Sequence, residues 1–323
     1  MPQRHDPDTH APDALCIGET MALIAPVDGQ PLAATEHIAL LQAGAESNVA
    51  RYLTELGVPA AWLGALGEDP LGDRIIGELA GSGVDVRWVH QRKDAPTGVF
   101  FKDPGPDGTR VHYYRSRSAA GRMSAADLDR WPLNDASWVH LTGITPALSA
   151  SCALMTEVLL ERTSGGAMTS FDVNYRAQLW PDRATAAHRL RELARQADVV
   201  LVGRDEAEEL WGTSTPEQIA EVLDGPRSVV VKDADREAVE IRRSVSGPAR
   251  ITRVPAHQIE VVEPVGAGDA FAAGYIAATL RGEDAVNRPA LGHSVAAWTL
   301  GTVSDYRPGH GQSVQPTSTR EHR

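Results

Sequence analysis

Short apolar runs recur along the chain, and most are followed by a segment with helical spacing. ALCIG (14–18), AAWLGAL (60–66), SWVHLTG (137–143), AMTSFDV (167–173), DVVLVG (198–203) and RSVVVK (227–232) are too continuous for half-exposed strands and read as strands buried on both faces. Between them apolar residues return every three to four positions, as at Val49, Leu53 and Leu56 and again at Ile75, Ile76 and Leu79. The alternation predicts an α/β fold, with a mostly parallel central sheet and helices on both faces. Two stretches break it, residues 20–42 and 97–115. In the second, TGVFFKD and TRVHYYR flank the turn PGPDG with no helix between them. Both read as hairpins forming a small β-sheet lid over the strand ends, where such folds bind ligands.

Both ends of the chain read as disordered tails. Residues 1–13 are rich in Pro, Asp and His, and residues 309–323 offer almost nothing apolar to bury, so one domain is expected over 14–308. Hydrophobic residues make up 42% of the chain and charged residues 23%, an ordinary globular composition, and no window resembles a signal peptide or a membrane span. The expected setting is the cytoplasm. A formal charge of -12 repels a phosphate backbone, so nucleic acid and membrane are not expected partners. Any anionic ligand must then be held by a few local cations and backbone N–H groups. Cys16 and Cys152 have neither zinc nor disulfide spacing, and His112, His140 and His293 lack ligand spacing, so no side-chain metal site is expected.

The segment carrying the clearest chemistry is Glu263-Pro264-Val265-Gly266-Ala267-Gly268-Asp269, followed by the small and apolar residues AAGYIAATL. Glycines at a helix start let backbone N–H groups crowd around an anion where unpaired donors and the helix dipole favour negative charge. Gly266, Ala267 and Gly268 thus form a candidate phosphate cradle. Asp269, in the first turn, is the candidate base for a hydroxyl attacking a phosphoryl group. The bland alternative is close helix packing with a first-turn acid that complements the dipole.

This segment resembles the second signature of the ribokinase (PfkB-type) family of carbohydrate kinases. Ala43-Gly44-Ala45-Glu46-Ser47-Asn48-Val49-Ala50, with Leu56-Gly57, Leu66-Gly67-Glu68-Asp69 and Leu71-Gly72, resembles the first, in the right order and separation. The resemblance implies a ribokinase-like three-layer α/β/α sandwich with a β-lid, ATP as phosphoryl donor, Mg²⁺ as its companion, and a homo-oligomer joined through lid residues such as Val99 and Phe101. RVHYYRSRSA, HLTGITPALS and FDVNYRAQLW look like the 2-keto-3-deoxygluconate kinases of that family. By that likeness Gly44, Ala45, Glu46 and Asn48 line the sugar, Tyr113 and Arg115 reach it from the lid, Arg176 approaches from a strand end, and Asp305 contacts it late in the chain. Asn174 and Lys232 would join Gly266 and Gly268 at ATP. Two arginines suit a sugar acid, because a guanidinium offers a planar fork of donors to a carboxylate. The implied reaction is phosphorylation of 2-keto-3-deoxygluconate to the 6-phosphate. The alternatives are another sugar (2-keto-3-deoxygalactonate, ribose or fructose) or a sugar-acid binder without catalysis.

The chain departs from the family pattern after VVVK. Lys232-Asp233-Ala234-Asp235-Arg236-Glu237-Ala238 carries Ala234 and Glu237 where glycines are expected, Gly203 stands where relatives often have a polar residue, and Glu263 replaces an aspartate. Glycine at such a turn permits positive φ or close approach to a nucleotide, so the departure predicts weakened ATP affinity.

Overall fold

The computed structural model describes residues 11–106, 108–244, 246–259, 265–300 and 306–309. Its strands are β1 (Ala14–Ile17), β2 (Met21–Pro26), β3 (Ile38–Ala43), β4 (Ala60–Leu63), β5 (Ala65–Gly67), β6 (His90–Arg92) and β7 (Val99–Asp103). Further along lie β8 (Arg110–Tyr114), β9 (Trp138–Thr142), β10 (Met168–Asp172), β11 (Val199–Gly203), β12 (Ser228–Asp233), β13 (Glu237–Arg242) and β14 (Arg250–Pro255). The helices are α1 (Ala45–Glu55), α2 (Pro70–Gly81), α3 (Ala150–Thr163), α4 (Arg183–Ala194), α5 (Arg204–Trp211), α6 (Pro216–Val222), α7 (Ala267–Leu280) and α8 (Asn287–Leu300).

An eight-stranded sheet runs in the order β14-β13-β12-β11-β10-β9-β1-β4. From β12 to β4 every pairing is parallel, and β13 and β14 add an antiparallel edge. Strand alternation makes the layers. Along β1, Leu15 and Ile17 enter the core beneath α3 to α6, while Ala14 and Cys16 enter the opposite core beneath α1, α2, α7 and α8. AAWLGAL is two strands rather than one, interrupted at Gly64, where a Cβ would come within 2.5 Å of the Gly18 carbonyl oxygen. The two hairpins join into one four-stranded sheet, β3-β2-β7-β8, with β2 and β7 parallel at its centre.

Two features fix α7 against the eight-stranded sheet. Nearly every residue from Ala270 to Ala278 is buried, and a Cβ on Gly274 would lie 2.6 Å from the Leu291 carbonyl oxygen, so glycine allows α7 and α8 to touch. A buried network then ties both helices to β13: Tyr275 Oη donates to Glu240 Oε1 at 2.9 Å, and Arg288 Nη2 donates to Glu240 Oε2 at 2.8 Å. Because β1, β9, β10, β11 and β12 are parallel, their carboxyl ends share one edge of the sheet, and the start of α7 stands over it.

Candidate active site

A cleft of about 900 Å³ lies along that edge, between the main sheet and the small one. One end is walled by the lid. In β8 the alternation turns Val111 and Tyr113 toward the cleft, Arg115 follows in the same phase, and Phe100 of β7 stacks on Tyr113 at 5.6 Å between centroids. Gly44, Ala45 and Asn48, at the start of α1, form the floor there. Arg115 Nη1 lies 2.7 Å from Glu19 Oε2, and the guanidinium sits 4.5 Å from the Tyr113 ring centroid. Arg176, on the far wall, is about half exposed, with Nη1 donating to the Tyr175 carbonyl at 2.9 Å and standing 3.9 Å from Glu206 Oε1.

At the centre is Asp269. Gly266 caps α7 in a left-handed conformation, φ 84°, which glycine adopts without a side-chain clash and which starts the helix abruptly at the cleft. The first N–H groups of α7 have no partner within the helix and face the same space as the Asp269 carboxyl. Asn48 Nδ2 donates to Asp269 Oδ2 at 2.9 Å and fixes its orientation. Burial pushes the Asp269 carboxyl up to about 7; the Asn48 hydrogen bond opposes this, the nearby Asp172 charge adds to it, and Arg176 and Lys232 pull it back. A carboxyl poised there ionises near neutral pH and suits general-base work.

The other end of the cleft is more acidic. Lys232 Nζ donates to Asp172 Oδ2 at 2.7 Å and lies against the start of α7, 3.5 Å from where a Cβ on Gly268 would stand. Burial works against its charge, yet the Asp172 and Glu206 carboxylates hold Lys232 above its usual pKa, so it stays charged. Glu206, in the first turn of α5, accepts from the Gly203 and Tyr175 backbone N–H groups at 2.8 and 3.0 Å, and burial raises its pKa despite Lys232. Asp172 Oδ1 and Asn174 Oδ1 are buried without a hydrogen-bond partner. Asn174 has φ 39°, a left-handed conformation that Asn tolerates better than most residues. Beyond lie His257, Ile259, Phe271, His293, Ala296 and Leu300, an apolar and aromatic recess.

The cleft thus brings together Gly44, Ala45, Asn48, Tyr113, Arg115, Asn174, Arg176, Lys232 and Gly266 to Asp269. Glu46 is a correction. It was expected to face the sugar, but it is 0% exposed and turned into the core, where Oε1 accepts from the Thr142 and Thr145 hydroxyls at 2.6 and 3.1 Å. Helical spacing explains this: Ala45 and Asn48 share a face of α1, and Glu46 is rotated about 100° from Ala45. Burial pushes its carboxyl up to about 7. Asp305 and Glu263 lie outside the described residues. Sequence reasoning overlooked Glu19 and Glu206, whose carboxylates belong to no motif it used.

An α/β/α sandwich with a separate β-sheet over its carboxyl edge, and a helix-capped carboxylate in the cleft between, defines a small-molecule group-transfer enzyme of the sugar-kinase type. The profile of the pfkB family carbohydrate kinases matches residues 11–309, and the chain belongs to that family. It is 38% identical over 301 residues to a 2-dehydro-3-deoxygluconokinase of Bacillus subtilis (strain 168), covering 91% of each chain. A 2-dehydro-3-deoxygalactonokinase of Haloferax volcanii is 32% identical over 296 residues, covering 88% of this chain and 90% of the relative. Among solved structures, a PfkB protein from Polaromonas sp. JS666 superimposes with a TM-score of 0.81 at 34% identity, over 89% of this chain and 95% of the other. Among the described residues no helix is long and apolar enough to cross a membrane.

Proposed function

We propose that the chain transfers the γ-phosphoryl group of ATP to the terminal hydroxyl of 2-keto-3-deoxygluconate, giving the 6-phosphate and ADP. The observation that carries this reading is Asp269: a carboxyl with a pKa near 7, oriented by Asn48 at the start of α7, in one cleft with Arg115 of the lid, Arg176 of the far wall and an apolar recess. Asp269 takes the proton of the attacking hydroxyl. The backbone N–H groups of Gly266, Ala267 and Gly268 stabilise the charge on the transferring phosphoryl oxygens, and Lys232 adds a cation beside them. Gly44, Ala45, Asn48 and Tyr113 frame the sugar, and Arg115 and Arg176 meet its carboxylate. The lid excludes water that would otherwise hydrolyse ATP.

Mg²⁺ fits the donors present. The partnerless Oδ1 atoms of Asp172 and Asn174 are hard oxygen ligands, while no group of three or more His, Cys, Asp or Glu among the described residues could hold a metal alone. Asp172, Asn174 and Glu206 would therefore share the ion with phosphate oxygens, whose charge it neutralises. A homo-oligomer joined through the lid belongs to the same proposal. Ile38 and Tyr114, 57% and 67% exposed, are the most open apolar residues of its described strands, whereas Val99 and Phe101 are half-buried.

A second reading keeps the reaction and changes one stereocentre: the Haloferax volcanii relative is named for the galactonate epimer. An ADP-release assay with Mg-ATP decides, comparing 2-keto-3-deoxygluconate, 2-keto-3-deoxygalactonate, gluconate, ribose and fructose. Release confined to the keto-deoxy acids is expected, and Asp269→Asn should lower kcat by about 100- to 10,000-fold with little change in sugar binding. Turnover of ribose or fructose in preference discards the substrate. Full turnover by Asp269→Asn removes the base.

A further inference from the structure

Glu19 stands in the turn between β1 and β2, and no role above uses it. That turn is pressed onto α1 on both sides of the residue. A Cβ on Gly18 would lie 2.1 Å from the Glu46 carboxyl carbon, and a Cβ on Gly44 would lie 2.3 Å from the Glu19 carbonyl oxygen. Glycine at both places lets the two backbones interlock, so the Glu19 side chain leaves from a fixed point on the main body. It is 3% exposed and lines the cleft. Its Oε2 accepts from Arg115 Nη1 at 2.7 Å, and its Oε1 is 3.5 Å from Ser118 Oγ.

Arg115 comes from the other side, directly after β8 of the lid. Its guanidinium is held at Nη1 by the Glu19 carboxylate and over one face by the Tyr113 ring, 4.5 Å away. A guanidinium has five N–H donors in a rigid plane, and fixing one edge fixes where the remaining donors point. A long side chain held in this way has already lost the rotamer freedom that binding would otherwise remove. Burial raises the Glu19 pKa against the pull of Arg115, so the carboxylate depends on this one cation.

We infer that Glu19 is a positioning residue for sugar-acid specificity, fixing Arg115 before substrate arrives so that its free N–H edge meets the incoming carboxylate. The inference rests on the sugar-acid reading above. Glu19 is a neighbour of the substrate's negative charge as well as an anchor. The 2.7 Å pairing with Arg115 neutralises the Glu19 charge at close range, so the anchor outweighs the repulsion.

The test is steady-state kinetics of Glu19→Ala, Glu19→Gln, Arg115→Met and Glu19→Ala/Arg115→Met with the keto-deoxy acid that wild type phosphorylates, after circular dichroism has confirmed folding. Glu19→Ala is expected to raise KM about tenfold with kcat within about threefold. Glu19→Gln, whose amide oxygen still accepts from Arg115, should recover part of the loss, and in the Arg115→Met background, where only the repulsion remains, the Glu19 change should no longer raise KM. An unchanged or lowered KM in Glu19→Ala overturns the inference, as does an equal effect in both backgrounds, which would mark Glu19 as merely structural. Absence of sugar-acid turnover in wild type overturns the substrate reading and the role of Glu19 with it. Turnover with an unaffected Glu19→Ala variant overturns the role alone.

Discussion

At the scale of single residues the site is a set of carboxyl groups, each with its own partners. Asp269, crowded by protein and by Asp172, is raised to about 7, while Asp172 itself is paired to Lys232 at 2.7 Å. The proposed base would work only when ionised, so kcat/KM should rise with pH through about 7, falling tenfold per unit below and levelling above. The residual activity of Asp269→Asn should lack this limb, and a flat wild-type profile between about pH 5 and 8 would remove Asp269 from the reaction. The place of Asp269 at a helix start in the cleft was legible in the sequence because its signal is local: glycines, helix start and acid lie within four residues. Glu19 and Glu206 were not, since each acquires its meaning from a partner far along the chain, Arg115 for one and the Lys232–Asp172 pair for the other. Glu46 was misread because a motif lists residues in a row, while a helix sends neighbours to different faces.

At the scale of elements, the strand-then-helix alternation and both hairpins were legible, since buried parallel strands announce themselves as unbroken apolar runs. The sequence could not say that the hairpins share one sheet, with β2 beside β7, because that pairing depends on tertiary contact. The turn between β12 and β13 shows the reverse case, where a local departure foretold a local feature. Ala234, standing where glycine was expected, adopts φ 44°, a left-handed conformation that alanine enters at a cost of roughly 1 kcal/mol. Ala234→Gly relieves that strain and gains unfolded-chain entropy in opposition, so a net stabilisation of about 0.5 kcal/mol is expected by denaturant unfolding. The turn lines the acidic end of the cleft, and the KM for ATP should fall severalfold in the same variant. A variant less stable than wild type would mean that the chain holds this φ for contacts that alanine alone makes.

At the scale of the whole molecule the net charge of -12 works against the proposed ligands, since sugar acid and nucleotide are both anions. For a sphere of about 25 Å radius in water, twelve charges raise the energy of a monovalent anion at the surface by on the order of 2 kcal/mol without salt. The local cations offset little of this at a distance. Arg115 is paired with Glu19 at 2.7 Å, Lys232 with Asp172 at 2.7 Å, and Arg176 stands 3.9 Å from Glu206, so each presents its charge only at contact range. Salt therefore screens the long-range repulsion more than the short-range attraction, as the Debye length falls from about 30 Å at 0.01 M to about 8 Å at 0.15 M. Over that range the KM for the sugar acid should fall severalfold, while a neutral sugar in the same assay should show no such trend. A KM that rises with salt would mean that unpaired cations steer the substrate in, and would place the site's attraction in the field of the cleft rather than in the contacts of its two arginines.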